Sequence, residues 1–247
     1  GLKVCAHMMP GLPESTPESD LEDLRSLFRD ERLRPDMLKV YPTVVVKGTA
    51  LARLHEAGRY RPYELSTLVD MLAEMKKFVP KWHRIMRIQR EIPEKDILGG
   101  IKVGNLRELV LSKVAEDGLS CSCIRCREVA LATPEHLLEE DELVLNTEEY
   151  DASDGVEIFS SYEFRRLGKI AGFVRMRYPS EDAHRMEVRG SCIIRELKVY
   201  GRAVRIGMRD STAWQHRGIG ASLLAKLEAV ARERFGCRKI LVTSAVG

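Results

Sequence analysis

Three groups of residues in this 247-residue chain have types and spacings that could do chemistry. The first is a Gln-x-x-Gly-x-Gly turn, Gln215 to Gly220. It opens onto a segment in which Leu223, Leu224, Leu227, Val230 and Ala231 recur at helical spacing, and Gly236 stands where that helix should stop. Gly218 and Gly220 put no side chain over the first backbone N–H groups. Those amides lack partners inside a helix and carry the positive end of its dipole, which suits a phosphate anion. Ile219, Gly220 and Ala221 would meet a pyrophosphate through their backbones, and Arg217 would add charge, although an exposed Arg is the plainer reading. The loop is not a dinucleotide-binding fingerprint, which needs three glycines and a strand immediately before it. Nor is it a P-loop, because no Lys-Ser or Lys-Thr follows.

The second group is Cys121, Cys123 and Cys126. Thiolates at Cys-x-Cys-x-x-Cys spacing can fold round one soft or borderline metal, and zinc prefers four ligands in a tetrahedron, so one ligand must come from elsewhere. The bland alternative is three free thiols in a turn. The third group is Lys76, Lys77, Lys81, Arg84, Arg87 and Arg90, which fall within fifteen residues that hold no acid. With Trp82 among them they could form a surface that attracts phosphates and stacks on an unpaired base. A solvated helix end beside a buried Trp explains the same residues equally well.

The elements that must position these groups fall into two styles. Residues 3–9 read as a strand ending in the Pro10-Gly11-Leu12-Pro13 loop. Ser19 is the expected cap of a helix whose Leu21, Leu24, Leu27 and Phe28 share a face. Residues 37–46 are extended and apolar, interrupted by Pro42. Ser66 precedes a helical stripe of Leu68, Met71, Leu72, Met75, Phe78 and Val79, and residues 85–92 alternate as a half-buried strand would. Asn105 and Glu108 form a capping pattern ahead of Leu109, Val110 and Val114, with Gly118 at the stop. This alternation implies parallel β/α units. The second half reads as consecutive strands at 156–161, 169–178 and 191–200, then the glycine-opened helix and a last strand at 239–243, an α+β arrangement.

Composition sets the bounds. With 44% hydrophobic and 31% charged residues the chain suits a protein with a sizeable core in water. It contains no apolar run long enough for a membrane span and no opening signal stretch. The net charge of +3 is mild, but its distribution is uneven, and the acidic stretch 135–154 reads as a connection. Six cysteines without a secretory signal favour a metal or redox site over a disulfide framework. Cys192 and Cys237 read as small buried residues, and His7 reads as structural rather than as a ligand.

Joined together, the motifs become specific. Val4 to Pro13, Tyr41-Pro42-Thr43, Arg87 to Pro93, Asn105 to Leu109 and Arg195 to Gly201 stand in one order ahead of the Gln215 loop. In that order they resemble the catalytic subunit of Elongator over essentially the whole chain. That family is similar to a radical S-adenosylmethionine (SAM) barrel fused to a GNAT acyltransferase. The resemblance implies an α/β plus α+β fold. Residues 1–117 would be the later part of the barrel, 118–128 a cysteine-rich zinc-binding junction, and 129–247 an incomplete GNAT domain.

The resemblance also implies an activity: modification of the wobble uridine of tRNA at carbon 5, giving a carboxymethyl-type product. Acetyl-CoA would be the substrate, and S-adenosylmethionine with an iron–sulfur cluster would supply the radical. The implied partners are tRNA, acetyl-CoA, and other Elongator subunits or a second copy, in the cytoplasm with no membrane. In GNAT domains the strand carrying Glu196, Leu197, Lys198 and Val199 splits from its neighbour and pairs with the pantetheine amides. Glu196 as base would make a protein-lysine acetyltransferase, the alternative reading. His83 is the preferred fourth zinc ligand, with Cys5 and His136 competing. No cluster-binding Cys-x₄-Cys-x₂-Cys loop is present, and the resemblance implies a further GNAT helix and strand after Gly247. The chain is therefore expected to be a fragment that lacks the radical step.

Overall fold

The structure, a computed structural model, describes residues 2–129, 138, 141–201 and 218–242. It divides into two compact units, Val4–Cys126 on one side and Gly1–Lys3 with Arg127–Gly247 on the other.

The first unit is built on a parallel sheet of β1 (Cys5–Met8), β2 (Met37–Val40) and β4 (Arg84–Ile88), in that spatial order. Helix α1 (Pro17–Arg29) connects β1 to β2. Thr16, not Ser19, caps α1: its hydroxyl accepts from the Ser19 amide while the Ser19 hydroxyl accepts from the Thr16 amide, with Pro17 opening the helix. Either hydroxyl can cap, and Pro17 decides the start because its fixed φ suits the first helical position.

After β2, Pro42 breaks the extended run, leaving β3 (Val45–Val46) to pair antiparallel with β5 (Ile97–Gly99). Between them lie α2 (Ala50–Glu56) and α3 (Leu65–Lys77), and α4 (Leu106–Glu116) follows β5. Asn105 stands at the α4 start but its side chain makes no capping bond. Helix α3 packs against α1 and α4. The buried Leu24, Leu38, Leu72, Met75, Ile85, Leu106 and Val110 make the core that holds the strand ends in place. The short helix α5 (Ile124–Arg127) closes the unit.

The second unit is a five-stranded sheet in the order β10-β9-β8-β7-β6. Strands β6 (Leu143–Ala152), β7 (Gly155–Phe164), β8 (Ile170–Tyr178) and β9 (Cys192–Val199) run antiparallel, while β10 (Ile240–Val242) pairs parallel to β9. Strand β6 occupies the acidic stretch expected as a connection. It lies at the sheet edge with Leu145, Thr147, Glu149 and Asp151 exposed, so alternate positions face water and charge is tolerated there.

One sheet face is covered by α6 (Ile219–Phe235), whose Ile219, Leu223, Leu227 and Ala231 join Ile158, Phe164, Val174, Met176, Cys192 and Ile194 in a single core. The opposite face is polar yet buried. Glu157, Ser161 and Glu163 alternate along β7, and Arg175 lies over the rings of Phe159 and Phe173 at 5.2 and 5.5 Å. Among the described residues no helix is long and apolar enough to cross a membrane.

Candidate functional site

The start of α6 meets the far end of β9. Gly218 caps the helix at φ 75°, a left-handed conformation that glycine adopts without strain, and offers no side-chain cap. Gly236 ends the helix the same way at φ 64°. The amides of Ile219, Gly220 and Ala221 therefore open the helix with no intrahelical acceptor. Ile219 is buried, Gly220 half-buried and Ala221 exposed. A Cβ placed on Gly220 would lie 3.6 Å from Val199 Cγ2 and 3.9 Å from Leu197 Cδ2, so the helix start sits directly on the β9 side chains. Gln215 and Arg217 lie outside the described residues.

Among the described residues, strand β9 pairs with β10 over Cys192–Ile194. Beyond it, Glu196, Leu197, Lys198 and Val199 keep β8 on one edge, and among the described residues no strand pairs with the other. The register slips between Arg175/Met176 of β8 and Glu196/Ile194 of β9, leaving Arg195 as the extra residue of a bulge. Both bulge side chains are anchored. Arg195 donates to Glu157 at 2.6 Å, and Glu196 accepts from Arg175 at 3.2 Å and from Lys3 at 3.4 Å.

Two contributors escaped the sequence reading. A Cβ on Gly172 would come within 3.0 Å of the Lys198 carbonyl and 3.1 Å of Ile219 Cγ2, so this glycine permits β8, β9 and the helix start to close up. The Tyr162 hydroxyl meets the Ser222 hydroxyl at 2.7 Å and ties the first helical turn to β7. A Gly within an apolar strand is a signal for the first; nothing in the sequence marks the second.

In the first unit, the sulfurs of Cys121, Cys123 and Cys126 all lie within 4.8 Å of one another, and Cys121 and Cys123 are buried. A tetrahedral zinc with Zn–S bonds of about 2.3 Å sets its sulfurs about 3.8 Å apart, so the trio needs only a small contraction to hold one. Hydrogen bonds with Cys121 and Cys126 push the Cys123 thiol down, while hydrogen bonds with Cys123 and Cys126, together with burial, push Cys121 up.

The Ile124 amide donates to the His83 carbonyl at 2.9 Å, which fastens the cysteine loop to the β4 approach. His83 is fully buried, its ring edge-on to Phe28, and its nitrogens lie outside the sulfur group. Its Nδ1 is 2.8 Å from the Pro35 carbonyl oxygen, which can only accept, so Nδ1 carries the proton and Nε2 the lone pair. That is the tautomer of a metal-ligating histidine steadied by a backbone carbonyl. Cys5 also lies outside the group, directed at Ala6 and Met86, and His136 is outside the described residues.

With this geometry in view, comparison with known proteins is decisive. Residues 35–116 match the radical SAM C-terminal domain, and residues 125–246 match the acetyltransferase (GNAT) family. Over its whole length the chain is 42% identical to Elongator complex protein 3 of Homo sapiens and 40% identical to that of Saccharomyces cerevisiae. The chain belongs to the Elongator complex protein 3 family. It spans 45% of the length of each of these two relatives. A solved structure, the archaeal Methanocaldococcus infernus Elp3 with an N-terminal deletion, superposes with a TM-score of 0.85 at 38% identity. That match covers 98% of this chain and 57% of the archaeal one. The fold is accordingly a radical SAM C-terminal domain followed by a GNAT domain.

In this Elongator complex protein 3 relative the basic stretch is not one surface. Lys76 is wholly buried and Trp82 is 6% exposed, so neither can meet RNA in this conformation. Lys76 falls four residues after Leu72 on α3, within the apolar stripe, and Trp82 packs edge-on to Phe28 and His83. Lys77 pairs with Glu74 and Asp117. Lys81, Arg87 and Arg90 are exposed and Arg84 half-exposed. Arg87 and Arg90 line a cleft of about 330 Å³ at the carboxyl end of β4, together with Lys102 and Arg107. Gln89 sits in that cleft at φ 87°, a strained angle for a side-chain-bearing residue, held by the Val103 carbonyl. His7 is exposed beside Tyr41.

Proposed function

We propose that this protein uses acetyl-CoA to modify the wobble uridine of tRNA at carbon 5, giving a carboxymethyl-type product. One observation carries the acetyl-CoA half: among the described residues, the edge of β9 at Glu196–Val199 has no strand partner and leads to a helix start with no side-chain cap. Open strand amides and carbonyls at Glu196–Val199 can pair with the two amides of pantetheine, and the N–H groups of Ile219, Gly220 and Ala221 can receive the pyrophosphate. Gln215 and Arg217 stand just before that helix in the sequence. The exposed Lys81, Arg87 and Arg90 and the half-exposed Arg84, with the basic cleft, suit a phosphate backbone. Other Elongator subunits or a second copy are the proposed protein partners.

Zinc fits the cysteine trio, with His83 as fourth ligand through Nε2. Bound there, zinc would supply structural cross-linking of the cysteine loop to the β4 approach. The radical chemistry of the family needs an iron–sulfur cluster and S-adenosylmethionine. The trio lacks the spacing of that cluster loop.

The anchoring of Glu196 by Arg175 and Lys3 supports a role in fixing the bulge, and speaks against a freely placed base for lysine acetylation. The test uses the full-length protein with acetyl-CoA. Release of CoA stimulated by tRNA is the expected result. Acetyl transfer to lysine peptides without tRNA, and no response to tRNA, would replace this reading with the protein acetyltransferase one.

A further inference from the structure

Lys76 has no place in the acyl-transfer site and none on a surface. It lies in the last turn of α3, is completely buried, and directs its Nζ at Cys126 Sγ at 3.5 Å. Burying an ammonium is costly unless an opposite charge meets it. Among the described residues its nitrogen meets a sulfur of the cysteine trio, so the charge of that site includes the ammonium.

We propose that Lys76 is a built-in counter-charge of the metal centre, making the site neutral when it holds one divalent ion on three cysteine thiolates and an uncharged histidine. This rests on the zinc reading above. A divalent ion, three thiolates and a neutral imidazole leave one negative charge in a buried place, and the ammonium on Cys126 cancels it. A monovalent ion would leave the site negative and a trivalent ion positive, so the lysine tunes the centre towards the divalent state. Its N–H···S bond also withdraws charge from the Cys126 thiolate, which makes that sulfur a weaker nucleophile. In this account Lys76 is a positioning and charge-matching residue, not a ligand.

The experiment measures zinc affinity of the full-length protein by competition with a chromophoric chelator. Cobalt substitution then reads the thiolate-to-metal absorption band. Wild type is expected to bind one zinc per chain. Lys76→Met is expected to bind it about 10- to 100-fold more weakly, the usual cost of losing an outer-shell partner, and to shift the cobalt–thiolate band to lower energy. Lys76→Gln, which keeps a donor and drops the charge, should also weaken binding, and Lys76→Arg should recover part of it.

Should the neutral variants fail to fold, Lys76→Met combined with Cys126→His carries the test. Two thiolates and two imidazoles round zinc are neutral without a lysine, so this pair is expected to fold when loaded. Failure of the pair to load zinc would overturn the proposal. A wild type that binds no zinc would overturn the metal reading and this inference with it. A wild type that binds zinc, alongside a Lys76→Met that binds equally well, would overturn the inference alone.

Discussion

Gly220→Glu is the sharpest perturbation of the α6 start. Among the described residues, a Cβ at this position would meet Val199 Cγ2 at 3.6 Å and Leu197 Cδ2 at 3.9 Å, which are ordinary contacts. Gly220→Ala is therefore the steric control and should leave acetyl-CoA affinity nearly unchanged. The glutamate sits in the first turn, where a negative charge favours the helix dipole, so the fold should survive. The loss should come from repulsion. A carboxylate about 5 Å from a diphosphate of two charges is repelled by about 1.7 kcal/mol at the dielectric of water, and by more where the helix and β9 exclude solvent. Acetyl-CoA affinity should thus fall by at least ~15-fold, read by isothermal titration. Binding of a pantetheine fragment that lacks the diphosphate should not change. The reasoning is refuted if Gly220→Glu binds acetyl-CoA as wild type does, or if the fragment loses as much as the whole ligand.

Other consequences are equally direct. Cys123→Ser should abolish zinc retention, read by elemental analysis of the purified protein, and lower its thermal midpoint; full retention would remove the trio from the metal site. Replacing Arg87 and Arg90 together by Ala should reduce the slope of log tRNA affinity against log salt by about 1.4 to 1.8, two phosphates' worth. Trp82→Phe should leave that affinity unchanged because the ring is buried. The Cys192 thiol is pushed up to about 12 from 9.0 by burial and by the Cys237 thiol. A folded value above the unfolded one contributes stability that is present below pH 9 and is lost as pH rises towards 12. Cys192→Ala should flatten the alkaline fall in that window, and neither Cys192 nor Cys237 should react with iodoacetamide at neutral pH while folded.

Much of the fold was legible because one periodicity dominates each segment. The α6 apolar repeat and its two flanking glycines gave both ends of that helix, and the alternating strands of the second half emerged within a few residues. What was not legible depended on burial. Strand β6 was hidden by its acids, which an edge strand accommodates on its open face. Thr16 outranked Ser19 as a cap because Pro17 fixes the helix start. Lys76 looked like surface because lysines usually are, yet helical arithmetic from Leu72 puts it inside, and of the two readings open for Trp82 the structure has the buried one. Gly172 mattered through three elements closing on one point, which is tertiary information. The cysteine spacing was plain, whereas the lysine beside it required coordinates.

The central claim is that the open edge of β9 and the uncapped start of α6 together hold acetyl-CoA. A structure of the protein with acetyl-CoA bound tests it most directly. The account predicts the diphosphate oxygens within hydrogen-bond distance of the Ile219–Ala221 amides and the pantetheine alongside Glu196–Val199. Acetyl-CoA bound elsewhere, with those amides facing solvent or protein, would contradict it.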